Sequence, residues 1–322
     1  MRFRCPSTRL LSTLPGENPY NAEEKFLCPN GICMGTLRER APFDVPMATV
    51  DKYRRGEFTF ISASESVHHT ALKGRDNSIY AYRIPYQDIK HIITPAYVQH
   101  LIVLLENLPP LSPNQENKNL SLKRRVKRSR TYQFWVECKR DGQVGLSKEY
   151  LQDGIKAEEF VQHCALLWET IGRTYDQVFP KPSRRLRQFT PPDNAAGDFL
   201  AKPWAGMTIN QGCINEPVQC EPHKDQKDAF FCHACVVALG NFTGGHVILW
   251  ELEAIVELKS GDALIFPAHL ITHSNTPTEG IRHSLVAYTR QETMKHDASI
   301  PNYEPERKKE VQKRKRIKKN GS

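Results

Sequence analysis

The sequence predicts an α+β fold with a jelly-roll core, flanking helices, and an N-terminal extension packed on the core. Three observations lead to this prediction. A long amphipathic helix pattern occupies residues 156–179, short strand patterns follow one another from residue 207 onward, and turn residues separate those strands without any helical pattern between them. Strands at such regular spacing, with no intervening helices, are typical of jelly rolls.

Few elements are predicted before the jelly roll. Apolar residues at helical spacing predict a helix over 97–108, and a strand is predicted over 132–138. In the helix over 156–179 one face is apolar, so we expect this helix to pack on a sheet. The four prolines within 180–194 predict a loop that ends it.

The jelly-roll strands are predicted between turn signals such as Gly240-Asn241, Gly244-Gly245 and the run 260–262. The predicted strands are 207–210, 230–239, 246–252, 254–258, 263–266 and 281–288.

Four regions follow from these patterns. Residues 1–110 form the N-terminal extension, 111–131 a basic flexible insertion, 132–292 the jelly-roll core, and 293–322 a basic tail. The insertion is inferred from its Pro-Pro, Ser and Asn content and from the basic run that follows these residues.

The positive charge is concentrated in two segments. The formal net charge is +9, yet 123–130 carries six basic residues and no acid, and 306–319 carries nine basic residues against two acids. The rest of the chain is therefore slightly acidic. Such runs typically serve as polyanion-binding arms or nuclear-import signals, with simple solubilisation as the alternative. We expect a nucleic-acid partner and a nuclear location.

Composition argues against two protein classes. The chain has nine cysteines, an odd and scattered set that is typical of reduced intracellular thiols rather than of a secreted disulfide framework. No apolar run approaches the roughly 20 residues that a membrane-spanning helix requires. We therefore expect no membrane association.

Three residues of the β region form a candidate metal site. His223 and Asp225 are two positions apart, which in an extended segment places both side chains on the same face. His273 follows the predicted strand 263–266, and in a rolled sheet the chain returns there to the same mouth. Two histidines and one carboxylate leave three octahedral positions open, as non-haem Fe(II) oxygenases require.

A second pair of residues suits a chelating cosubstrate. If such a molecule binds the metal through one end, a carboxylate at its other end needs a cation deeper in the barrel. Arg282, on the last predicted strand, offers a bidentate guanidinium, and Ser284, on the same face, offers a hydroxyl donor.

Two neighbouring features, a further histidine and a pair of cysteines, could also bind a metal. His269 lies in the loop before His273 and is the alternative ligand, although a structural role fits it better. Cys232 and Cys235 have CxxC spacing, but strand alternation places them on opposite faces, which favours core packing over a shared metal.

The motifs of this region resemble those of a known family. The run 215–289 is similar to the TET/JBP-related dioxygenases that are expanded in fungi, and 156–210 is similar more loosely. The residues that carry the resemblance are HKDQKD at 223–228, NFTGG at 241–245, SGD at 260–262, THSNTP at 272–277 and RHSLV at 282–286.

The resemblance implies a double-stranded β-helix that uses Fe(II), 2-oxoglutarate and O₂, with ascorbate as reductant. It implies His223, Asp225 and His273 as catalytic iron ligands, and oxidation of 5-methylcytosine in DNA to 5-hydroxymethylcytosine and further products. A base in a duplex would have to be flipped into the pocket. Asn215 is a candidate contact for the cosubstrate or the base, with a capping or turn role as the alternative. The basic insertion and tail would bind phosphates. We expect a monomer.

Alternative functions remain open at this point. The same chemistry on N6-methyladenine, RNA or protein is one, because a fold does not determine its substrate. A catalytically inactive DNA-binding protein of mobile-element origin is another, although it has no reason to keep the four residues His223, Asp225, His273 and Arg282. A zinc hydrolase is a third, disfavoured because it would leave Arg282 and Ser284 without a role.

Overall fold

The strands of the C-terminal half carry most of a two-sheet architecture. A computed structural model of the chain describes residues 9–10, 22–26, 45–64, 68–74, 77–121, 126–136, 144–193, 195, 197–213, 218 and 220–298. Its strands are β1 (Arg9–Leu10), β2 (Ala22–Phe26), β3 (Thr59–Ile61), β4 (His69–Lys73), β5 (Ile79–Ile84), β6 (Ser129–Val136), β7 (Val144–Leu146), β8 (Gly206–Asn210), β9 (Ala234–Gly244), β10 (Val247–Leu249), β11 (Ala254–Val256), β12 (Ala263–Phe266), β13 (His273–Asn275) and β14 (Thr278–Tyr288).

The helices lie mostly in the N-terminal half and between β7 and β8. They are α1 (Met47–Arg54), α2 (Tyr86–Ile89), α3 (Pro95–Glu106), α4 (Pro113–Ser121), α5 (Lys148–Asp153), α6 (Ile155–Val178), α7 (Pro180–Arg187) and α8 (Gln291–Met294), with a 3₁₀ turn at Trp250–Leu252. Among the described residues no helix combines the length and apolar character needed to cross a bilayer.

Two sheets face each other across an apolar interior. The larger has the order β1-β2-β4-β5-β12-β9-β14-β8-β6-β7 and the smaller β13-β10-β11-β3. Alternate side chains of β12 and β9, such as Leu264 and Val236, pack against Val247 and Leu249 of the smaller sheet. These two facing sheets form the jelly roll that the sequence predicts.

The opposite face of the larger sheet is covered by helices. On β9 the intervening residues, among them Val237 and Leu239, share a second core with the buried side of α6, including Phe160 and Trp168. The pattern follows from the two-residue period of a strand, which sends neighbouring side chains to opposite faces. It leaves residues 234–239 of β9 and 282–285 of β14 buried on both sides.

Most predicted elements are confirmed to within a few residues, including α3, α6, β8 and β12. Two turn predictions are wrong. Residues 180–187 form α7 rather than a loop, because Pro180 occupies the first helical turn, where a missing N–H costs nothing. The Gly240-Asn241 pair lies inside β9, where Gly240 takes a positive φ of 115° and pairs with Arg282.

The N-terminal region contributes strands to both sheets. It is therefore part of the core, whereas the sequence predicted an extension packed on a core of residues 132–292. β3 pairs in parallel with β11 of the smaller sheet, and β5 pairs antiparallel with β12 of the larger one. Neither strand was predicted, because β3 has only three residues and β5 is buried along nearly its whole length rather than alternating.

Residues 111–131 also differ from the predicted flexible insertion. They contain α4 and the start of β6. The Asn119 side-chain amide donates to the backbone oxygens of Lys127, at 2.9 Å, and Ser129, at 2.7 Å, and so fastens the helix to the strand. Composition alone does not reveal this local bonding. Residues 123–125 of the basic run lie outside the described residues, as does the tail from 299 onward.

Candidate metal centre

His223 and His273 are brought together by backbone pairing. The His223 N–H donates to the His273 carbonyl at 3.0 Å, and the His273 N–H donates to the His223 carbonyl at 2.9 Å. This isolated antiparallel bridge places the two imidazole rings with centroids 4.3 Å apart. Residues 50 positions apart in sequence thus form a single local unit.

Asp225 completes the group. Its N–H donates to the Ala268 carbonyl at 3.0 Å, which holds the segment after His223 against the loop before His273. One Asp225 carboxylate oxygen lies 3.8 Å from His273 Nε2. One nitrogen or oxygen atom from each of the three side chains falls within 4.8 Å of the others, close enough to share one metal ion.

Backbone carbonyls orient both imidazoles. His223 Nδ1 lies 2.7 Å from the Glu221 oxygen, and His273 Nδ1 lies 3.0 Å from the Ile271 oxygen, in each case the carbonyl two residues earlier. A carbonyl only accepts hydrogen bonds, so each Nδ1 carries the proton. In the neutral imidazole this tautomer leaves Nε2 with a free lone pair, as metal ligation requires.

The three residues lie at one end of a cavity between the sheets. Its empty volume, including the open mouth, is about 560 Å³. The wall is mostly apolar, with Val236, Val247, Phe266 and Val286 among its members. Such a wall excludes water from the metal position while a few polar groups determine the orientation of a bound molecule.

Arg282 supplies the cation of this cavity. Its side chain lines the cavity and is 3% exposed, and no carboxylate of the described residues lies within 4 Å of it. Among the described residues, Arg282 Nε has no hydrogen-bond partner. The guanidinium carbon lies 5.5 Å from the centroid of the Phe242 ring. Burial lowers the pKa of Arg282 to about 10. A buried cation without a counter-ion is costly, so the cavity is suited to an anion.

Ser284 stands beside Arg282, as predicted, because both lie on the same face of β14. Ser284 pairs with Asn210 of β8, and the Asn210 amide donates to the Ser284 hydroxyl oxygen at 3.0 Å. That bond occupies an acceptor site of the hydroxyl and leaves its proton to be donated into the cavity. Asn210, Arg282 and Ser284 thus form one polar patch in the cavity wall.

Gly245 makes room for Arg282. Its φ is +64°, and an added Cβ would lie 2.7 Å from Arg282 Cδ and 2.9 Å from Arg282 Nε. The same Cβ would lie 2.7 Å from the Thr278 hydroxyl. The double-glycine turn found in the sequence therefore has a local reason: the second glycine admits the guanidinium side chain.

We expect Gly245→Ala to weaken binding of an anionic cosubstrate about tenfold, because the new methyl group displaces Arg282. The strained backbone should also cost about 1–2 kcal/mol of unfolding free energy. Isothermal calorimetry and thermal denaturation measure the two effects. Gly56→Ala is the control, since Gly56 also has a positive φ but faces open space. Equal loss of affinity in both variants would contradict this role for Gly245.

The donor set fits Fe(II). Two neutral imidazoles and one carboxylate on one side of an ion leave three positions for exchangeable ligands. The guanidinium, which has no carboxylate partner within the described part of the chain, fits the far carboxylate of a chelating dicarboxylate. Both fits rest on side chains of this chain: the orientation of the two Nε2 atoms and the orphaned Arg282 Nε.

Other predicted site features are less directly involved. Asn215 lies outside the described residues. His269 is not part of the three-residue cluster. Cys232 and Cys235 are both buried in the core beneath the helices, so their packing role is confirmed. Cys232 precedes β9 instead of lying within it, so the two thiols share one core and do not occupy opposite faces.

Sequence reasoning missed Asn210 and Glu251. Asn210 is the last residue of a strand that was correctly predicted. A polar residue at the end of a strand, shortly before the His223–Asp225 motif, could have indicated a site residue. Glu251 lies on the 3₁₀ turn between β10 and β11 and carried no motif. Its contacts with the ligand-bearing segments become visible only in three dimensions.

Comparison with solved structures identifies the fold. The chain is similar to NgTET1 in complex with 5mC DNA, with a TM-score of 0.52 and 13% identity over 88% of this chain and 100% of that chain. At this identity the likeness shows the fold alone, a double-stranded β-helix, which confirms the predicted fold class. No protein-family model matches the sequence, and no curated protein does.

Weaker likenesses include an oxidoreductase of the 2OG-Fe(II) oxygenase family from Burkholderia pseudomallei, with a TM-score of 0.40 and 13% identity over 65% of this chain and 82% of that chain. Another is the viral collagen prolyl hydroxylase vCPH from Paramecium Bursaria Chlorella virus-1 in a 2OG complex, with a TM-score of 0.34 and 11% identity over 65% of this chain and 95% of that chain.

Proposed function

We propose that this chain is an Fe(II)- and 2-oxoglutarate-dependent dioxygenase. The single observation that carries the proposal is the placement of Arg282, a buried cation without a carboxylate partner among the described residues, in the same cavity as a two-histidine, one-carboxylate cluster. A zinc hydrolase or a simple binding module has no use for this pair of features. A metal-chelating dicarboxylate uses both.

The residues divide the work between them. His223, Asp225 and His273 would hold the iron, and Arg282 with Ser284 would bind the far carboxylate of 2-oxoglutarate. When bound, the iron and cosubstrate activate O₂ for oxidation of a C–H bond, and ascorbate would keep the iron reduced. The protein contributes orientation of the reactants and a dry apolar wall.

The proposed substrate is 5-methylcytosine in DNA, oxidised to 5-hydroxymethylcytosine and further forms. Supporting it are the motifs shared with TET/JBP-related enzymes and the likeness of the fold to NgTET1, which was solved with 5mC DNA. Because the metal residues lie within a cavity, a base would enter only after flipping out of the duplex. The basic runs at 123–130 and 306–319 would add salt-sensitive phosphate contacts, except for Arg130, which is 2% exposed and pairs with Asp153 at 2.6 Å.

We also propose a nuclear location and a monomeric state. The nuclear location follows from the basic runs and the expected DNA partner, and neither proposal affects the chemistry proposed above.

The substrate is tested by mass spectrometry of nucleosides. Duplex DNA containing 5-methylcytosine is incubated with the protein, Fe(II), ascorbate and 2-oxoglutarate, then digested and analysed. We expect 5-hydroxymethylcytosine with the wild type and none with His223→Ala. Raising salt from 50 to 200 mM should lower the rate strongly if phosphate contacts dominate binding.

The outcome also separates reaction from substrate. Release of succinate that depends on N6-methyladenine DNA, RNA or protein, without any product from 5-methylcytosine, would keep the iron chemistry and reject the substrate. DNA binding without succinate release on any substrate would instead indicate a catalytically inactive binding protein.

A further inference from the structure

A buried ion pair lies directly behind the metal residues. Lys224, between His223 and Asp225 in sequence, places its ammonium 2.9 Å from Glu251 Oε1. The side chains are 4% and 8% exposed. Because neighbouring residues of an extended segment point to opposite sides, Lys224 is directed away from the metal position while its two neighbours face it.

Glu251 also binds the segment that carries the other ligand. Its Oε2 accepts from the Thr272 N–H at 2.7 Å, and its Oε1 accepts from the Thr272 hydroxyl at 2.7 Å. Thr272 immediately precedes His273. One carboxylate therefore forms an ion pair with the His223–Asp225 segment and accepts two hydrogen bonds from the His273 segment.

The turn that carries Glu251 is itself bonded to the same segment. The Trp250 N–H donates to the Thr272 carbonyl at 3.0 Å, and the Trp250 indole N–H donates to the Ser274 hydroxyl at 2.9 Å. The carboxylate thus sits on a rigid support. It is a fixed point from which both ligand segments are held.

We propose that Glu251 is a positioning residue that sets the spacing of the metal ligands by clamping Lys224 and Thr272. The inference rests on the proposed iron site and adds to it a charge requirement. The Glu251 carboxylate neutralises the buried Lys224 ammonium. Without Glu251, that positive charge would be unbalanced next to the segment that binds a divalent metal ion. Loss of that neutralisation opposes metal binding electrostatically, in addition to loosening the geometry.

The requirement predicts an order among variants. Glu251→Gln leaves Lys224 as a buried unpaired cation, so we expect Mn(II), used as a redox-stable probe, to bind about 10–100-fold more weakly. Lys224→Met leaves the Thr272 bonds in place and should cost less. The double variant Lys224→Met with Glu251→Gln leaves no charge unpaired and should bind more tightly than Glu251→Gln alone, but about two- to fivefold more weakly than the wild type because the clamp is lost.

The measurement is an electron paramagnetic resonance titration of free Mn(II), combined with the melting temperature of the metal-free protein. Asp262→Asn is the matched control. Asp262 forms another buried ion pair, with Arg83 at 2.6 Å, and its carboxylate accepts from the backbone N–H groups of Tyr86 and Lys259 rather than from the ligand segments. We expect Asp262→Asn to lower the melting temperature and leave the Mn(II) dissociation constant unchanged.

Several results would overturn the inference: Mn(II) affinity of Glu251→Gln within twofold of the wild type, an equal loss in Asp262→Asn, or no recovery in the double variant. If Glu251→Gln does not fold, the comparison of Lys224→Met with the double variant decides, since equal wild-type affinity in both contradicts the clamp. A wild type that binds Mn(II) but turns over no substrate would leave the clamp intact and count against the proposed function alone. A wild type that binds no metal would overturn both.

Discussion

Replacing His273 with alanine is expected to weaken metal binding by roughly 10²–10³-fold and to reduce turnover at least as much. Four-ligand structural zinc sites bind with about 10–16 kcal/mol, or roughly 3–4 kcal/mol for each ligand. Loss of one protein ligand from a three-residue set should cost a similar amount. Because His273 is also joined to His223 through the backbone, and alanine retains those backbone bonds, the effect reports the imidazole itself.

The matched control is His269→Ala. His269 lies four residues earlier in the same loop and is the alternative ligand, but it is outside the cluster. We expect its Mn(II) dissociation constant to stay within about twofold of the wild type. The reverse result, with His269→Ala impaired and His273→Ala unaffected, would reassign the third ligand.

An Arg282→Met variant should lose 2-oxoglutarate affinity by about 10²-fold or more. A guanidinium fork makes two charge-assisted hydrogen bonds to a carboxylate, each worth about 1.5–3 kcal/mol. Methionine retains most of the side-chain volume and none of the charge. Calorimetric titration of the Mn(II)-loaded protein with 2-oxoglutarate measures the loss.

The same substitution should stabilise the ligand-free protein. Burial lowers the pKa of Arg282 from 12.5 to about 10, so the folded state binds this proton less tightly than the unfolded chain does. The charged side chain therefore costs stability at every pH below about 10, and the cost disappears as the pH rises from there towards 12.5. We expect Arg282→Met to gain about 2–3 kcal/mol of unfolding free energy at neutral pH.

Arg282→Lys separates the two effects, since it keeps the charge and loses the planar fork. Its expected cosubstrate affinity is intermediate, and its stability gain is small. If Arg282→Met bound 2-oxoglutarate within threefold of the wild type, the anion site would have to be placed elsewhere in the cavity.

The candidate site was largely predictable from sequence because its parts are local. The His223–Asp225 spacing, the turn at Gly244-Gly245 and the alternation of Arg282 with Ser284 each depend on a few neighbouring residues. Their order along the chain supplied the rest. The cavity then brings the five predicted metal and cosubstrate residues together, all of them lining it.

What escaped prediction depends on long-range pairing. Strand β5 pairs with β12, and the Arg83–Asp262 hydrogen bond beside this pairing joins residues 179 positions apart. The Glu251 clamp joins two segments that no motif connects. Buried strands read as short apolar runs with no alternation, and a glutamate on a turn looks solvent-exposed in sequence. Only the closure of the barrel gives these residues their partners.

The N-terminal strands limit how far the chain can be shortened and still fold. Strand β3 pairs in parallel with β11, and β5 pairs antiparallel with β12. A fragment that starts at residue 132 would retain every proposed metal ligand, yet it would leave the backbone N–H and C=O groups of β11 and β12 without these partners. Exposed strand edges of this kind recruit other chains and promote aggregation. The smallest expressible unit should therefore begin before Thr59, and a library of N-terminal truncations should show a sharp drop in soluble yield once that strand is removed.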